Sequence, residues 1–368
     1  MIQLGGAEIF RESGGVDAFA KKRRWVLAGL AALAAALAFL SASYGTYTQV
    51  RAPEVLEVLA QKSGLLREDL NAATTQEVVL DLRLPRVALA ILSGAALGMA
   101  GAALQGLFRN PLADPALIGV SGGAALGAVL VIVLGGAALG LPENVPGAFV
   151  LPLAAMAGGV GVTFLVYHLA KVEGRAQVAL MLLTGLALNA LAGAAIGVLV
   201  YRATDEQLRA FIFWSLGSLS RAGWPQIGAA ALFIVPSLAL LPRLARPLNA
   251  LALGEAEAHH LGVPVPRVKR ELIFLSAMMV GAAVAVCGTI GFVGLVAPHL
   301  ARLLFGPDHR LLLPASALLG AALLLGADVV ARLGAAGFEE LPIGVVTALA
   351  GAPVFLVLLL RARRKGEF

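Results

Sequence analysis

Few residues in this sequence have side chains that could do chemistry, and their spacing narrows which kind. Asp328 and Arg332 lie four apart in "ADVVARL", an otherwise apolar run. Residues at i and i+4 share one helix face, so the two can pair. An ionisable residue among apolar neighbours is equally a candidate for proton or ion transfer. His299 follows Pro298 in "GTIGFVGLVAPHLARLLFG", residues 288–306, where an imidazole raises the question of a ligand. Asp114, in "NPLADPALIG", has the surroundings of a turn or helix-cap acid. His259 and His260 are adjacent. On a helix they diverge by about 100° and make a poor metal pair. Cys287 is the single cysteine, which excludes an internal disulfide and a cysteine-based metal site. In its apolar run it reads as a small core residue.

The chain has no G-x-x-x-x-G-K-[ST] phosphate cradle and no H-E-x-x-H pair. It is therefore expected to have no catalytic residues, no metal site and no cofactor of its own, and not to hydrolyse nucleotide alone.

The elements that must hold these residues follow from composition. The 368 residues are 59% hydrophobic and 14% charged, with mean hydropathy +0.88. Soluble domains are about 45–50% apolar and about 25% charged, so the fold class is an all-α polytopic membrane protein. A net charge of +6 could suggest nucleic acid. The basic residues instead cluster at the ends of apolar runs, as membrane topology demands, and no nucleic-acid partner is expected. The first twenty residues are mixed and polar, which argues for a retained first span rather than an export leader.

A crossing takes about 20 mostly apolar residues. Candidate runs are 25–44, 85–107, 115–138, 147–170, 178–201, 224–242, 270–294, 311–333 and 343–361. That odd number would put the two ends on opposite sides. Yet Lys21, Lys22, Arg23 and Arg24 at one end, and Arg361, Arg363, Arg364 and Lys365 at the other, both read as cytoplasmic. Arg109, Lys171, Arg175, Arg243, Arg246, Arg267, Lys269 and Arg270 fall on the same side, while "GLPENVPG" (140–147) and "RATDEQLRAF" (202–211) are acidic or mixed. One more crossing is needed, and residues 270–305 can contain it. Gly288, Gly291, Gly294 and Pro298 can end one helix and start another. The second piece, about 295–305, would be only ~15 Å long at 1.5 Å per residue. Such a half-helix is tolerated at membrane depth only inside protein. The expectation is ten segments with a short, broken eighth. The domains are a cytoplasmic tail 1–24, one transmembrane domain 25–361 and a cytoplasmic tail 362–368.

Other features concern packing and partners. "SGAALGMAGAALQG" (93–106) places Gly94, Gly98, Gly101 and Ala102 at three- and four-residue spacing, which lets helices approach closely. Residues 45–84 read as a polar outer loop with a short helix starting near Pro53. Residues 205–219 read as an interfacial helix with Asp205 and Glu206 at its start and Trp214 at the membrane surface. In the inner loop 251–270, Gly254 and Gly262 bracket "EAEAHHL". A helix of two turns is marginal alone and needs a partner surface.

Several long stretches resemble the FecCD-type permease subunits of ABC importers for iron-siderophore, haem and cobalamin. They are "LRLPRVALAILSGAALGMAGAALQGLFRNPLADPALIGVSGGAALGAVL" (82–130), "LALGEAEAHHLGVPV" (251–265), "GTIGFVGLVAPHLARLLFGPDHRLLLPASALLGAALLLGADVVARL" (288–333) and "ELPIGVVTALAGAPVFLVLLL" (340–360). The resemblance implies ten membrane segments including a short one, and two copies forming the pathway as a homodimer. It implies two separate ATPase subunits carrying ATP and Mg on the cytoplasmic face, and a periplasmic substrate-binding protein outside. It implies a bacterial inner-membrane location with both termini cytoplasmic.

Residue by residue, Arg83 and Arg86 of "LRLPR" and Arg332 of "VVARL" match outer-face arginines that receive acidic residues of the binding protein. Arginine offers bidentate donors to carboxylates, and on this resemblance Arg332 should point outward. Asn110 and Leu112 match residues of the cytoplasmic gate. Val178 and Ala179 fall at its other element, where the cobalamin type has small hydroxyl residues and this chain does not. Gly254, Glu255, Glu257, His259, His260, Leu261 and Gly262 match the coupling loop (251–265) that seats in the ATPase. Residues 182–224 are most similar to the haem permeases, through Asn189, the small-residue run after it and "FWSLGSL". Arg209 matches an arginine at the outer mouth of the channel, where a cation can meet haem propionates. Haem is thus the expected substrate, ahead of ferric siderophore and cobalamin. His299 is expected to pack or hydrogen-bond rather than ligate haem, because its motif is shared with permeases that carry none. An ion-coupled secondary transporter is the alternative from another class, and it would require an essential membrane acid.

Overall fold

The structure, a computed structural model, describes residues 9–44, 52–63, 73–135, 147–220, 223–333 and 340–365. These form fifteen α-helices and one small hairpin. The helices are α1 (Ile9–Ser43), α2 (Ala52–Lys62), α3 (Ala73–Glu77), α4 (Leu84–Phe108), α5 (Val120–Leu134), α6 (Gly147–Leu169) and α7 (Val178–Tyr201). They continue with α8 (Asp205–Ser215), α9 (Trp224–Leu240), α10 (Ala245–Leu253), α11 (Glu255–His260), α12 (Val265–Cys287), α13 (Val293–Phe305), α14 (His309–Leu333) and α15 (Ile343–Lys365). The hairpin, β1 (Lys171–Val172) and β2 (Arg175–Ala176), joins α6 to α7. A π-helical stretch, Val78–Arg83, leads into α4.

Among the described residues, seven stretches are long and apolar enough to cross a membrane: Ala20–Ser43, Thr75–Phe108, Ala148–Leu169, Val178–Tyr201, Trp224–Leu253, Val265–Cys287 and His309–Leu333. Three further apolar helices are shorter, Val120–Leu134, Val293–Phe305 and Ile343–Val357. The bundle has two ends, and side-chain bonds show which residues share each. At one, the start of α4 meets the end of α1 through Arg83 and Ala42, and the end of α14 through Arg86 and Asp328. At the other, Asn249 of α10 bonds Asp308 just before α14, and Lys269 of α12 bonds Ala176 just before α7.

Helix α4 lies at the centre of the packing, as its small residues predict. Added methyl groups at Gly94 and Gly98 would overlap the carbonyl oxygens of Gly320 and Ser316 on α14. One at Gly101 would overlap the carbonyl of Gly294 on α13. The backbones touch at these crossings, so van der Waals contact between them replaces the hydrophobic drive that lipid does not supply.

The break in residues 288–306 is present. Helix α12 stops at Cys287, and Gly288 has φ 74°, a conformation that favours glycine. A side chain there would also strike the Trp214 carbonyl. The freed backbone is tied to the end of α8: Ser218 N donates to Cys287 O at 2.8 Å, and Thr289 Oγ1 to Ser215 O at 2.5 Å. Phe292, at φ 67°, starts α13, which is thirteen residues long and buried from Val293 to Pro298. Thirteen residues rise only ~20 Å, so the expected half-helix exists and starts two residues earlier than position 295.

Other expectations shift. Helix α1 runs unbroken from Ile9 through the basic run, and α15 continues to Lys365, so helix extends into both supposed tails. In the described part of the crossing expected at 115–138, α-helix covers the 15 residues Val120–Leu134, because Pro115–Ile118 forms a 3-10 turn first. The helices near Pro53 and Asp205 are present as α2 and α8, and Thr204 and Gln207 close a capping box at the start of α8. Trp214, expected at the membrane surface, is buried in the protein, with its ring stacked 6.5 Å from Phe211. Residues 140–146 lie outside the described ones.

The crossing geometry gives a direct test. Gly98→Ala should lower the thermal unfolding midpoint of the detergent-purified chain, since overpacking costs about 1–3 kcal/mol. Gly161→Ala, where an added methyl meets nothing within 4 Å, should not.

Candidate binding and coupling surfaces

The first candidate surface is the bundle end that joins α1, α4 and α14. Asp328 is fully buried and accepts from Arg86 Nε at 2.7 Å, Arg332 Nη2 at 2.5 Å and Ser41 Oγ at 3.0 Å. Arg86 also donates Nη1 to Glu340 at 2.6 Å. Arg332 donates to the carbonyls of Ser41 and Tyr44, and Arg83 donates to the carbonyl of Ala42 at 2.7 Å. The last carbonyls of a helix have no partner within it, and cations there are favoured. Two guanidiniums thus cap α1, while Asp328 and Glu340 balance the charge.

This corrects the expectation of outward-facing arginines. Arg83 and Arg332 are only 5% and 7% exposed, and the Arg86 side chain 13%. All three are held inward because α1 and Asp328 need them. Asp328 pairs with Arg332 on one helix face as their spacing allows. Arg86, the third member, comes from 242 residues away and no spacing rule reveals it.

The second candidate surface is the opposite end. Asn110 Oδ1 accepts the Leu112 amide at 2.9 Å, so this pair forms a compact turn after α4. Asp114 Oδ1 accepts the Ala116 amide at 2.8 Å, the cap role expected of it. Val178 and Ala179 are the first two residues of α7 at this same end, half-buried and exposed respectively. The hairpin before them turns through Glu173 and Gly174, both at positive φ, as a two-residue hairpin loop prefers.

Helix α11 protrudes here. Glu255, Glu257, His259 and His260 are exposed, as are Leu261 and Gly262 after them, while Ala258 is buried. Gly254 is itself buried at φ 140°, a backbone conformation that residues with a side chain rarely adopt, and the Glu257 carboxylate lies beside it. It therefore shapes the turn rather than offering a contact. Gly262, at φ 82°, closes the other side: Val263 N donates to Ala258 O at 3.0 Å and Gly262 N to His259 O at 2.9 Å. This double bond pattern is a glycine C-cap.

Single residues are settled by their surroundings. Arg209 is exposed on α8 and has no ion-pair partner among the described residues. Asn189 donates to the Ala116 carbonyl at 3.1 Å and lies against Gly122 of α5, so it joins helices. His299 is half-buried with Nδ1 unpartnered, and no group of three or more His, Cys, Asp or Glu able to hold a metal occurs among the described residues. The run "GVSGG", 119–123, has the G-x-S-x-G spacing, but it opens α5 after a 3-10 turn, not after the strand that a nucleophile elbow needs.

Three polar links escape the sequence reading. Lys269, 3% exposed, bridges α12 to α11 and the hairpin. Gln105 of α4 meets α13 at the Leu295 carbonyl and at Arg302. Asn249 binds both Asp308 and the His309 ring and amide. Lys269 carries a topology signal in sequence that masks its pairing, and no local rule reveals the partners of Gln105 or Asn249.

Comparison with known proteins adds a family. The model of the FecCD transport family matches residues 33–361. The hemin transport system permease protein HmuU of Yersinia pestis is 48% identical over 289 residues, 78% of this chain and 84% of that protein. The cobalamin import system permease protein BtuC of Halobacterium salinarum is 45% identical over 288 residues, 78% of this chain and 74% of that one. A solved structure assigned to the metal-chelate type of ABC transporter, in an inward-facing conformation, aligns with TM-score 0.78 and 33% identity over 92% of this chain and 99% of its own.

Two outcomes follow from the two ends. Asp328→Asn should destabilise the purified chain by about 3–5 kcal/mol, because it leaves buried guanidiniums short of a carboxylate. Asp81→Asn, at an exposed site, is the control in the same thermal melt. Asp308 is partly buried, which raises its pKa, but hydrogen bonds from Arg310 and Asn249 and the Arg310 charge outweigh this and hold it at about 2. Its contribution to stability is therefore complete above the unfolded value near ~4 and disappears as pH falls through about 2. Asp308→Asn should flatten the melting-temperature profile in that window.

Proposed function

This chain belongs to the FecCD transport family and is an ABC importer permease, and from that premise we propose that it carries haem inward as a homodimer of ten-segment subunits. Its partners on this reading are two ATPase subunits holding ATP and Mg, and a periplasmic binding protein that delivers the substrate. Both termini lie in the cytoplasm of a bacterial cell, and the chain sits in the inner membrane.

The observation that carries the reading is α11. Six residues of helix with one buried side chain cannot stabilise themselves. A glycine at each side nevertheless fixes their position at one end of the bundle, as a surface awaiting another protein needs. The gate residues Asn110, Leu112, Val178 and Ala179 belong to that same end. Helix α7, which starts with Val178, is 24 residues long with a spanning window only 11% buried, so its faces are available to a second copy. At the far end Arg86 is the most accessible of the three arginines. A carboxylate of the binding protein would reach it by displacing Glu340.

The cycle then has a physical order. The loaded binding protein docks at the arginine end, and substrate enters between the two copies. ATP closes the ATPase pair, α11 moves with it, and the gate at that end opens to the cytoplasm. Haem as cargo is supported by the hemin permease similarity and by Arg209, an exposed cation suited to a propionate. The cobalamin permease similarity supports cobalamin as the second reading. Val178 and Ala179 stand against it, being apolar where that type has hydroxyls. Asn189 supports neither, since its amide is committed to helix packing.

Reconstitution with the ATPase subunits and the binding protein in liposomes tests the proposal, with haem, a ferric siderophore and cobalamin as probes. Haem should be taken up only with ATP, and Arg209→Ala should cut uptake at low haem by about fivefold, the effect of one exposed ion pair near 1 kcal/mol. Uptake of cobalamin but not haem overturns the cargo alone. Uptake that survives a dead ATPase, and collapses with a protonophore, overturns the whole reading.

A further inference from the structure

Lys269 is a charged side chain that no role described so far uses. It lies in the second turn of α12 and is 3% exposed. Its ammonium has two partners on two other elements. It donates to Glu255 Oε1 at 2.6 Å, on the first residue of α11, and to the Ala176 carbonyl at 2.8 Å, on the last residue of β2. Glu255 is 47% exposed, so this pair stands at the rim of the surface that α11 presents. Ala176 is buried, two residues before α7 begins at Val178.

A buried ammonium that loses its partners is strongly disfavoured, and bonds to a charged donor are shorter and stronger than neutral ones. Glu255, Lys269 and Ala176 therefore tend to move as one body. The hairpin can transmit such a movement because it is itself fastened at both sides. Gln177 N donates to Ala170 O at 3.0 Å, and the Lys171 ammonium sits 4.7 Å from the Tyr167 ring centre. The far side of the hairpin leads into α7 with one residue, Gln177, between.

We propose that Lys269 is a positioning residue that ties the partner-facing helix α11 to the amino end of α7, so that a displacement of α11 is delivered to Val178 and Ala179. This rests on the permease reading, in which α11 meets the ATPase and the α7 start belongs to the gate. Neither partner alone would suffice. Without the Ala176 bond the charge pair would only steady α11, and without Glu255 the lysine would only cap the hairpin.

The test places a nitroxide at residue 179 through Ala179→Cys in the complex with its ATPase subunits. Cys287, the single native cysteine, is buried and does not compete for label. In the otherwise unmodified complex, ATP with vanadate should change the spectrum of the label. Lys269→Met, which keeps the apolar stem and removes the charge, should assemble with the ATPase and lose that change. Lys269→Arg should keep it, a rescue that a purely space-filling role does not predict. Glu255→Gln should reduce it while Lys269 stays bound to Ala176. A full spectral change in Lys269→Met overturns the proposal and leaves the permease reading standing. If that variant fails to assemble, Glu255→Gln decides, and a full change there overturns the proposal. No change in the unmodified complex overturns this inference together with the assignment of the α7 start to the gate.

Discussion

A charge or a backbone carbonyl inside an apolar bundle must find its partner within the chain, because hydrocarbon offers none. The arginine cluster is where this constraint is sharpest. Helix α1 ends with carbonyls that point towards α4 and α14, and Arg83 and Arg332 satisfy them. Those cations in turn need an anion, and Asp328 is buried between Arg86 and Arg332 to supply it. Three helices far apart in sequence are thereby held in register at one end. That register requires α4 and α14 to approach closely along their length, which the glycines at 94, 98 and 320 permit.

The same constraint explains the broken helix. A chain that stops α12 at Cys287 exposes backbone groups at depth, which is tolerated only when they bond to protein. Ser218 and Thr289 provide those bonds from and to the end of α8. Once broken, the chain returns as α13, whose Gly294 presses on Gly101 of α4. Gln105 then bonds the Leu295 carbonyl and Arg302 from the same face of α4. A short helix that could not face lipid is thus fastened to the most central helix of the bundle.

How much of this was legible depended on whether the partner was near in sequence. The Asp328–Arg332 pair, the small-residue face of α4, the glycines around α11 and the break after Cys287 follow from spacing, conformational preference or charge parity. Each is a local rule or a count over the whole chain. What local rules missed was direction. The arginines at 83, 86 and 332 read as outward from the resemblance, yet partners 41, 242 and 291 residues away turn them inward. Lys269 read as a topology marker among other basic residues, and its burial comes from α11 and the hairpin folding over it. Trp214 read as a membrane-surface residue, but the backbone of the break packs against it. The short helix between Gly254 and Gly262 was legible in sequence, while the burial of the arginines required the fold.

The two ends of the bundle are therefore built differently, and the difference bears on how a transporter of this kind can work. At the arginine end the charges are internal and mutually satisfied, so an incoming carboxylate does not meet free cations. It must exchange with Asp328 or Glu340, and only a protein that brings its own acids at the right spacing can do so without leaving a buried charge behind. At the other end α11 presents two acids, two histidines and a leucine to solvent and hangs on few contacts, so it can follow a partner. The same chain thus has one end whose charges are satisfied internally and another whose short helix is largely exposed, and the two are joined through the closely packed central helices α4 and α14.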